Sequence, residues 1–136
     1  MKVSDIMTRH PHTLQADASL ASAVEIMVGY KIRHLPIVEK GKVLGIISDR
    51  DLKMALGPDS AGMELGAVDP RYVDGSVEWF MSDGIVTIDA GASVDEAAKL
   101  FIERKFGAIP VLDDGQLVGI VSVLDVLKAA LPLLQA

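Results

Sequence analysis

Cysteine is absent from this 136-residue chain. That removes disulfides, thiolate nucleophiles and cysteine-ligated metal sites. Aromatic residues make up only 4%, too few for a platform that stacks single-stranded bases. Positive charge is short as well: 13 Lys and Arg stand against 19 Asp and Glu, a formal net charge of −6. Binding to a phosphate backbone draws on clustered Lys and Arg, so nucleic acid is not expected as the main partner. The most apolar stretch, 115–134, is interrupted by Asp125 and Lys128 and does not read as a membrane span. The opening Met1-Lys2-Val3-Ser4-Asp5 has no apolar segment behind it, so no export signal is read. A soluble, cytoplasmic protein is expected. What is plentiful is aliphatic: half the residues are hydrophobic and 24% are charged. That excludes a disordered chain and supplies a core for one domain's length of sequence.

The sequence is one unit written twice. Shifted by 74 positions it lies on itself without a gap, with 15 identities in the 54 pairs from Val3 to Leu56. Met7 falls on Met81, Thr13 on Thr87, Ser19 on Ser93, Pro36 on Pro110, Gly45 on Gly119, Ser48 on Ser122 and Asp51 on Asp125. Two copies are too few for a solenoid, so a pair of half-domains that face each other is expected. Their spans are 1–57 and 76–132, joined by a linker at 58–75 that is rich in Gly, Asp and Pro.

Each copy carries the same order of signals. Thr13-Leu14 and Thr87-Ile88 read as brief strands. Ser19 and Ser93 are candidate caps of amphipathic helices, with Leu20, Ala23, Val24, Met27 and Val28 on one face and Val94, Ala97, Ala98, Phe101 and Ile102 on the other copy's. Residues 34–38 and 108–112 read as buried strands. Pro36 and Pro110 lack an N–H and are expected at a strand start or a sheet edge. The turns at 39–42 and 113–116 are hairpin signals. Residues 43–47 and 117–121 are return strands, after which Ser48 and Ser122 open second helices. The expected fold class is α/β (α+β), each repeat a three-stranded sheet packed with two helices.

Asp5-Ile6-Met7-Thr8, the strand His34-Leu35-Pro36-Ile37-Val38 and the paired G-x-x-S-x-x-D runs, Gly45 to Asp51 and Gly119 to Asp125, together resemble a tandem CBS domain pair, also called a Bateman module. The resemblance covers nearly the whole chain. It implies a regulatory sensor that binds adenosine-containing ligands (AMP, ADP, ATP or S-adenosylmethionine) in two clefts between the repeats. It also implies a homodimer and ligand-dependent signalling to an effector protein. Carried over residue by residue, the Asp51 cleft draws Ser48, Arg50, Arg33 and His34 from repeat 1, with Val86, Thr87, Ala108 and Pro110 from repeat 2. The Asp125 cleft draws Ser122 and Asp125, with His12, Thr13, Arg33 and His34.

The residue chemistry permits this role. A Ser hydroxyl at a helix start can donate to a phosphate oxygen where unpaired N–H groups favour an anion. Asp51, one turn in, offers two acceptor oxygens to the two hydroxyls of a ribose, and Arg50 can add a charge-assisted contact. Ser-x-x-Asp is equally close to a capping box, and Ser93-Val94-Asp95-Glu96 has that pattern with no ligand implied. Repeat 1 is the better equipped for phosphate, with Lys31, Arg33, His34 and Arg50. The matching residues are Lys105, Gly107, Ala108 and Leu124, so the two sites are expected to be unequal. The cationic form of His34 would attract phosphate, so affinity is expected to rise below about pH 6.5.

Other features read more plainly. His10-Pro11-His12 lacks a third ligand spacing and reads as a solvated loop, not a metal site. Trp79 and Phe80 read as the linker's return packing onto the core, with a dimer contact as the alternative. Apolar faces at Leu52, Ala55 and Leu56, and at Val126, Leu127, Ala130 and Leu131, read as part core and part dimer surface. Met63 and the Arg71-Tyr72 pair are candidate contacts with a neighbour. With no G-x-S-x-G elbow, P-loop or metal constellation, no catalytic residue and no cofactor are expected. The alternative to a nucleotide sensor is a ligand-free dimeric interaction scaffold.

Overall fold

In the computed structural model, residues 1–56, 64, 67, 75–82 and 84–136 are described. The chain divides into two compact units, 12–85 and 1–11 with 86–136. Met63, Arg71 and Tyr72, and most of the 58–75 linker, lie outside the described residues.

In the unit 12–85, a short strand β2 (Leu14–Gln15) leads into helix α2 (Leu20–Tyr30). Ser19 caps α2 by accepting the Ser22 N–H at 3.1 Å. Leu20, Ala23, Val24 and Met27 recur at helical spacing, and all are buried. The helix stops at Lys31, whose φ of 56° is left-handed and closes the last turn on the Met27 carbonyl. Strand β3 (His34–Glu39) then runs parallel to β2, a pairing that needs a crossover, which α2 supplies. Lys40 and Gly41, both at positive φ, make the two-residue turn into the antiparallel β4 (Lys42–Ser48). Helix α3 (Asp49–Ala55) follows at once. Leu35, Ile37, Ile47, Leu52 and Val77 complete the core with the α2 face.

The other unit repeats this plan with strand β5 (Ile88–Asp89), helix α4 (Val94–Arg104), strands β6 (Ala108–Asp113) and β7 (Gln116–Ser122), and helix α5 (Val123–Leu134). Lys105 repeats the left-handed stop with φ 56°, and Asp114 and Gly115 repeat the turn. The mixed α/β class and the three-stranded sheet β2-β3-β4 agree with the sequence reading. The sheet of this second unit instead has four strands, because β1 (Thr8–Arg9) adds to β7 in the order β1-β7-β6-β5. Ahead of β1 lies helix α1 (Val3–Ile6), and Val3 is fully buried with Ile109, Val111 and Val121. Its repeat partner Val77 is buried in the core of the unit 12–85. The compact units therefore differ from the sequence repeats, each containing the leading segment of the other copy.

Three expectations need correction. Pro36 is the third residue of six in β3, the middle strand of its sheet. It sits there because its antiparallel neighbour Ile46 directs both backbone groups at Ser82 instead. Pro36 is therefore at a position that needs no N–H toward β4, and β2 pairs only from Ile37 onward. Pro110 repeats this opposite Ile120, whose other neighbour is Thr8. Trp79 does not pack on the core: it is 72% exposed, and Phe80 is also exposed. A 3-10 turn at Val77–Trp79 repeats every three residues, so Val77 alone of the three turns inward. Ile102 and Val28, placed on the helix faces by spacing, are exposed.

Candidate functional site

Each return strand ends in a serine that starts a helix. Ser48 has extended backbone, φ −107° and ψ 166°, and Ser122 has φ −113° and ψ 166°. The Ser48 hydroxyl oxygen accepts the Asp51 N–H at 3.1 Å, while Asp51 Oδ2 accepts the Ser48 N–H at 2.8 Å. Ser122 and Asp125 form the same pair at the same two distances. The capping reading of this motif is thus realised in both copies. The comparison motif at Ser93 behaves differently: its hydroxyl makes no cap bond, and the Glu96 N–H donates to the Ser93 carbonyl at 3.1 Å.

Capping leaves a specific chemical remainder. Asp51 Oδ2 is committed to the backbone, so the carboxylate does not offer both oxygens freely, as the sequence reading had it. Among the described residues Oδ1 accepts no hydrogen bond, and Oδ2 keeps a second lone pair. The Ser48 oxygen uses a lone pair for capping and retains its O–H proton for donation. One free carboxylate oxygen and one hydroxyl donor therefore stand together at the strand end, and again at Ser122 and Asp125.

The surroundings of the two junctions differ. His34 stands opposite Ser48 in the β3–β4 ladder, and the Arg33 carbonyl accepts the Asp49 N–H at 2.9 Å. Burial lowers the His34 pKa, and the Arg33 charge adds to that, while Asp49 and then Asp51 pull it partly back up. Arg50 is exposed, and its N–H donates to Asp49 Oδ1 at 2.9 Å. At the second junction the corresponding positions are Ala108 opposite Ser122, Gly107, whose carbonyl accepts the Val123 N–H at 3.1 Å, and Leu124. No side-chain cation replaces Arg33 or Arg50 there.

Within the unit 12–85 lie Arg33, His34, Ser48, Arg50 and Asp51, together with His12 and Thr13; the other unit holds Val86, Thr87, Ala108, Pro110, Ser122 and Asp125. The His12 ring stacks on Tyr30 with centroids 3.9 Å apart, a partner that the sequence reading missed. Ala108 and Pro110 are buried, so little of their side-chain surface is open to a ligand. Also missed was Lys53, which shares a pocket of about 370 Å³ with Lys31 and Arg33. It lies 20 residues from Arg33 in the sequence, and only the packing of α3 brings the two together. Among the described residues, no group of three His, Asp or Glu side chains is placed to hold a metal, and no helix is long and apolar enough to cross a membrane.

A family model for the CBS domain matches residues 3–58 and 75–132. A CBS domain-containing protein of Dictyostelium discoideum is 33% identical over 137 residues, covering 98% of this chain and 93% of that protein. The crystal structure of CBSX2 in complex with AMP is similar with a TM-score of 0.77 and 29% identity, over 97% of each chain. That of the CBS domain pair of protein MJ0100, in complex with 5-methylthioadenosine and S-adenosyl-L-methionine, has a TM-score of 0.79 and 28% identity, over 95% of this chain and 94% of that one. Other relatives are much longer: this chain spans 23% of the inosine-5'-monophosphate dehydrogenase of Aquifex aeolicus.

Proposed function

Because this chain belongs to the CBS domain family, we propose that it is a regulatory module binding adenosine-containing ligands at its two strand-to-helix junctions. The observation that carries the reading is the remainder left by capping: an Asp oxygen without a partner among the described residues and a Ser hydroxyl proton, at Ser48/Asp51 and again at Ser122/Asp125. A carboxylate oxygen suits a ribose hydroxyl. A hydroxyl at a helix start suits a phosphate or sugar oxygen. The solved complexes of similar chains with AMP and with S-adenosyl-L-methionine support the ligand class.

The first junction takes the more highly charged ligand, since Arg33 and Arg50 flank it and nothing cationic replaces them at the second. Val86, Thr87, Ala108, Pro110, His12 and Thr13 belong to the proposal on the resemblance alone. Calorimetric titration with AMP, ADP, ATP and S-adenosyl-L-methionine is expected to show two unequal binding events. No heat and no thermal shift with any of the four would defeat the reading. The module is not an enzyme in this proposal, and nucleotide recovered unchanged after prolonged incubation is the expected result.

Ligand binding drives signalling only through different affinities for two conformations, so scattering profiles with and without nucleotide are expected to differ. The signal passes to an effector protein, and the module acts as a homodimer. One observation favours the alternative of a ligand-free scaffold, namely the exposed leucines of α5. Heating the purified protein separates the two: release of an adenosine compound excludes the scaffold.

A further inference from the structure

We propose that the pocket between the end of α2 and the start of α3 is a binding site for phosphate oxyanions. The pocket has a volume of about 370 Å³, within the size range of small-molecule sites. Three cations line it: Lys31 at the left-handed stop of α2, Arg33 ahead of β3, and Lys53 on α3. Among the described residues none of the three has an ion pair or a side-chain hydrogen bond. Two carboxylates, Asp49 and Glu64, share the wall, so the cations outnumber them. Asp49 is also engaged, its Oδ1 accepting the Arg50 N–H.

In a chain of net charge −6, this wall carries more positive than negative side chains, and an anion entering the cavity meets cations that, among the described residues, no side-chain carboxylate pairs. A guanidinium with two ammonium groups matches the several oxygens of a phosphate chain, the Arg by paired hydrogen bonds and the Lys residues as point charges. The second copy lacks the arrangement: Lys105 persists, but Gly107 and Leu127 replace Arg33 and Lys53. The repeat-related positions of the second copy therefore do not form this cluster.

The phosphate has two possible sources. It can be the tail of a nucleotide held at Ser48 and Asp51, which rests on the function proposed above, or a separate polyphosphate anion, which does not. Calorimetry on the full chain with tripolyphosphate, AMP and ATP distinguishes them. Wild-type chain is expected to bind tripolyphosphate, and the double variant Lys31→Asn/Lys53→Gln to bind it about tenfold or more weakly. If the double variant also loses the advantage of ATP over AMP, the tail is the source. If ATP binding is unchanged, the anion is separate. Glu64→Gln removes a rim carboxylate and is expected to tighten tripolyphosphate about threefold. Equal binding by wild type and the double variant, or none by either, overturns the proposal. Should the double variant fail to fold, Glu64→Gln decides: tighter binding supports the site and unchanged binding overturns it. Absence of AMP binding throughout would defeat the nucleotide reading and leave the oxyanion site standing.

Discussion

A single carboxylate does two jobs at Asp51, and substitutions can separate them. Asp51→Ala removes the acceptor for the Ser48 N–H, so it is expected to cost ~1 kcal/mol of stability as well as ligand affinity. Asp51→Asn keeps a side-chain oxygen for that N–H but loses the charge. It is expected to melt close to wild type while binding nucleotide about tenfold more weakly. If Asp51→Asn binds nucleotide as wild type does, the aspartate is a cap and nothing more. At His34 the chemistry departs from the sequence expectation. Burial, with Arg33 beside it, holds the pKa below 6.5, against the partial pull of Asp49 and Asp51. The folded chain thus prefers neutral His34, and the unfolded chain takes up the proton first. This contribution to stability is complete above about pH 6.5 and is lost as pH falls through the lower folded value. Melting temperature is expected to drop on acidification below about 6.5, and His34→Gln to flatten that drop. The cation that would attract phosphate forms only in more acid solution than an ordinary histidine requires.

At the scale of strands and helices, glycines and prolines take their meaning from neighbours. A Cβ added to Gly45 would lie 2.6 Å from the Ser82 carbonyl oxygen and 2.8 Å from the Met81 sulfur. One added to Gly119 would meet the Met7 sulfur at 2.5 Å and the Thr8 carbonyl oxygen at 2.8 Å. The first glycine of each G-x-x-S-x-x-D run is thus small because a second stretch of chain crosses directly over it. Gly45→Ala and Gly119→Ala are each expected to destabilise by ~1–3 kcal/mol in thermal or urea unfolding. Gly29, inside α2 with nothing within 4 Å of an added Cβ, serves as the contrast. Gly29→Ala is expected to stabilise, since a helix interior favours Ala by up to ~1 kcal/mol. If Gly45→Ala and Gly29→Ala shifted stability alike, close approach would not be the reason for Gly45. Pro36 follows the same logic, tolerated mid-strand because Ile46 bonds to Ser82 and leaves no demand on the proline side, and Pro110 stands opposite Ile120, whose other neighbour is Thr8.

For the molecule as a whole, α5 presents Leu124, Leu127, Leu131 and Leu134 to solvent, and none of its residues is buried. That much exposed leucine on one helix supports the proposed homodimer. Light scattering is expected to report a dimer and the Leu127→Glu/Leu131→Glu variant a monomer, whereas a wild-type monomer at micromolar concentration would refute it. The duplication, the α/β class, the helix faces apart from Val28 and Ile102, the hairpins and both Ser-x-x-Asp junctions were legible in the sequence, because each depends on residues within a few turns of one another. The capping geometry was legible too, but only as one of two readings, since hydrogen-bond spacing inside a helix turn is the same with or without a ligand. Four things were not legible. Val3 and Val77 each join the core that contains the other sequence copy, β1 adds to β7, Met7 and Met81 lie over the glycines, and Lys53 shares a pocket with Arg33. Local periodicity determines which residues form an element and which face is apolar, and for this the amino-acid order suffices. Which distant segment covers a given strand is decided by packing across long sequence separations, where two copies of the same pattern offer similar partners, and only the folded chain shows which was taken.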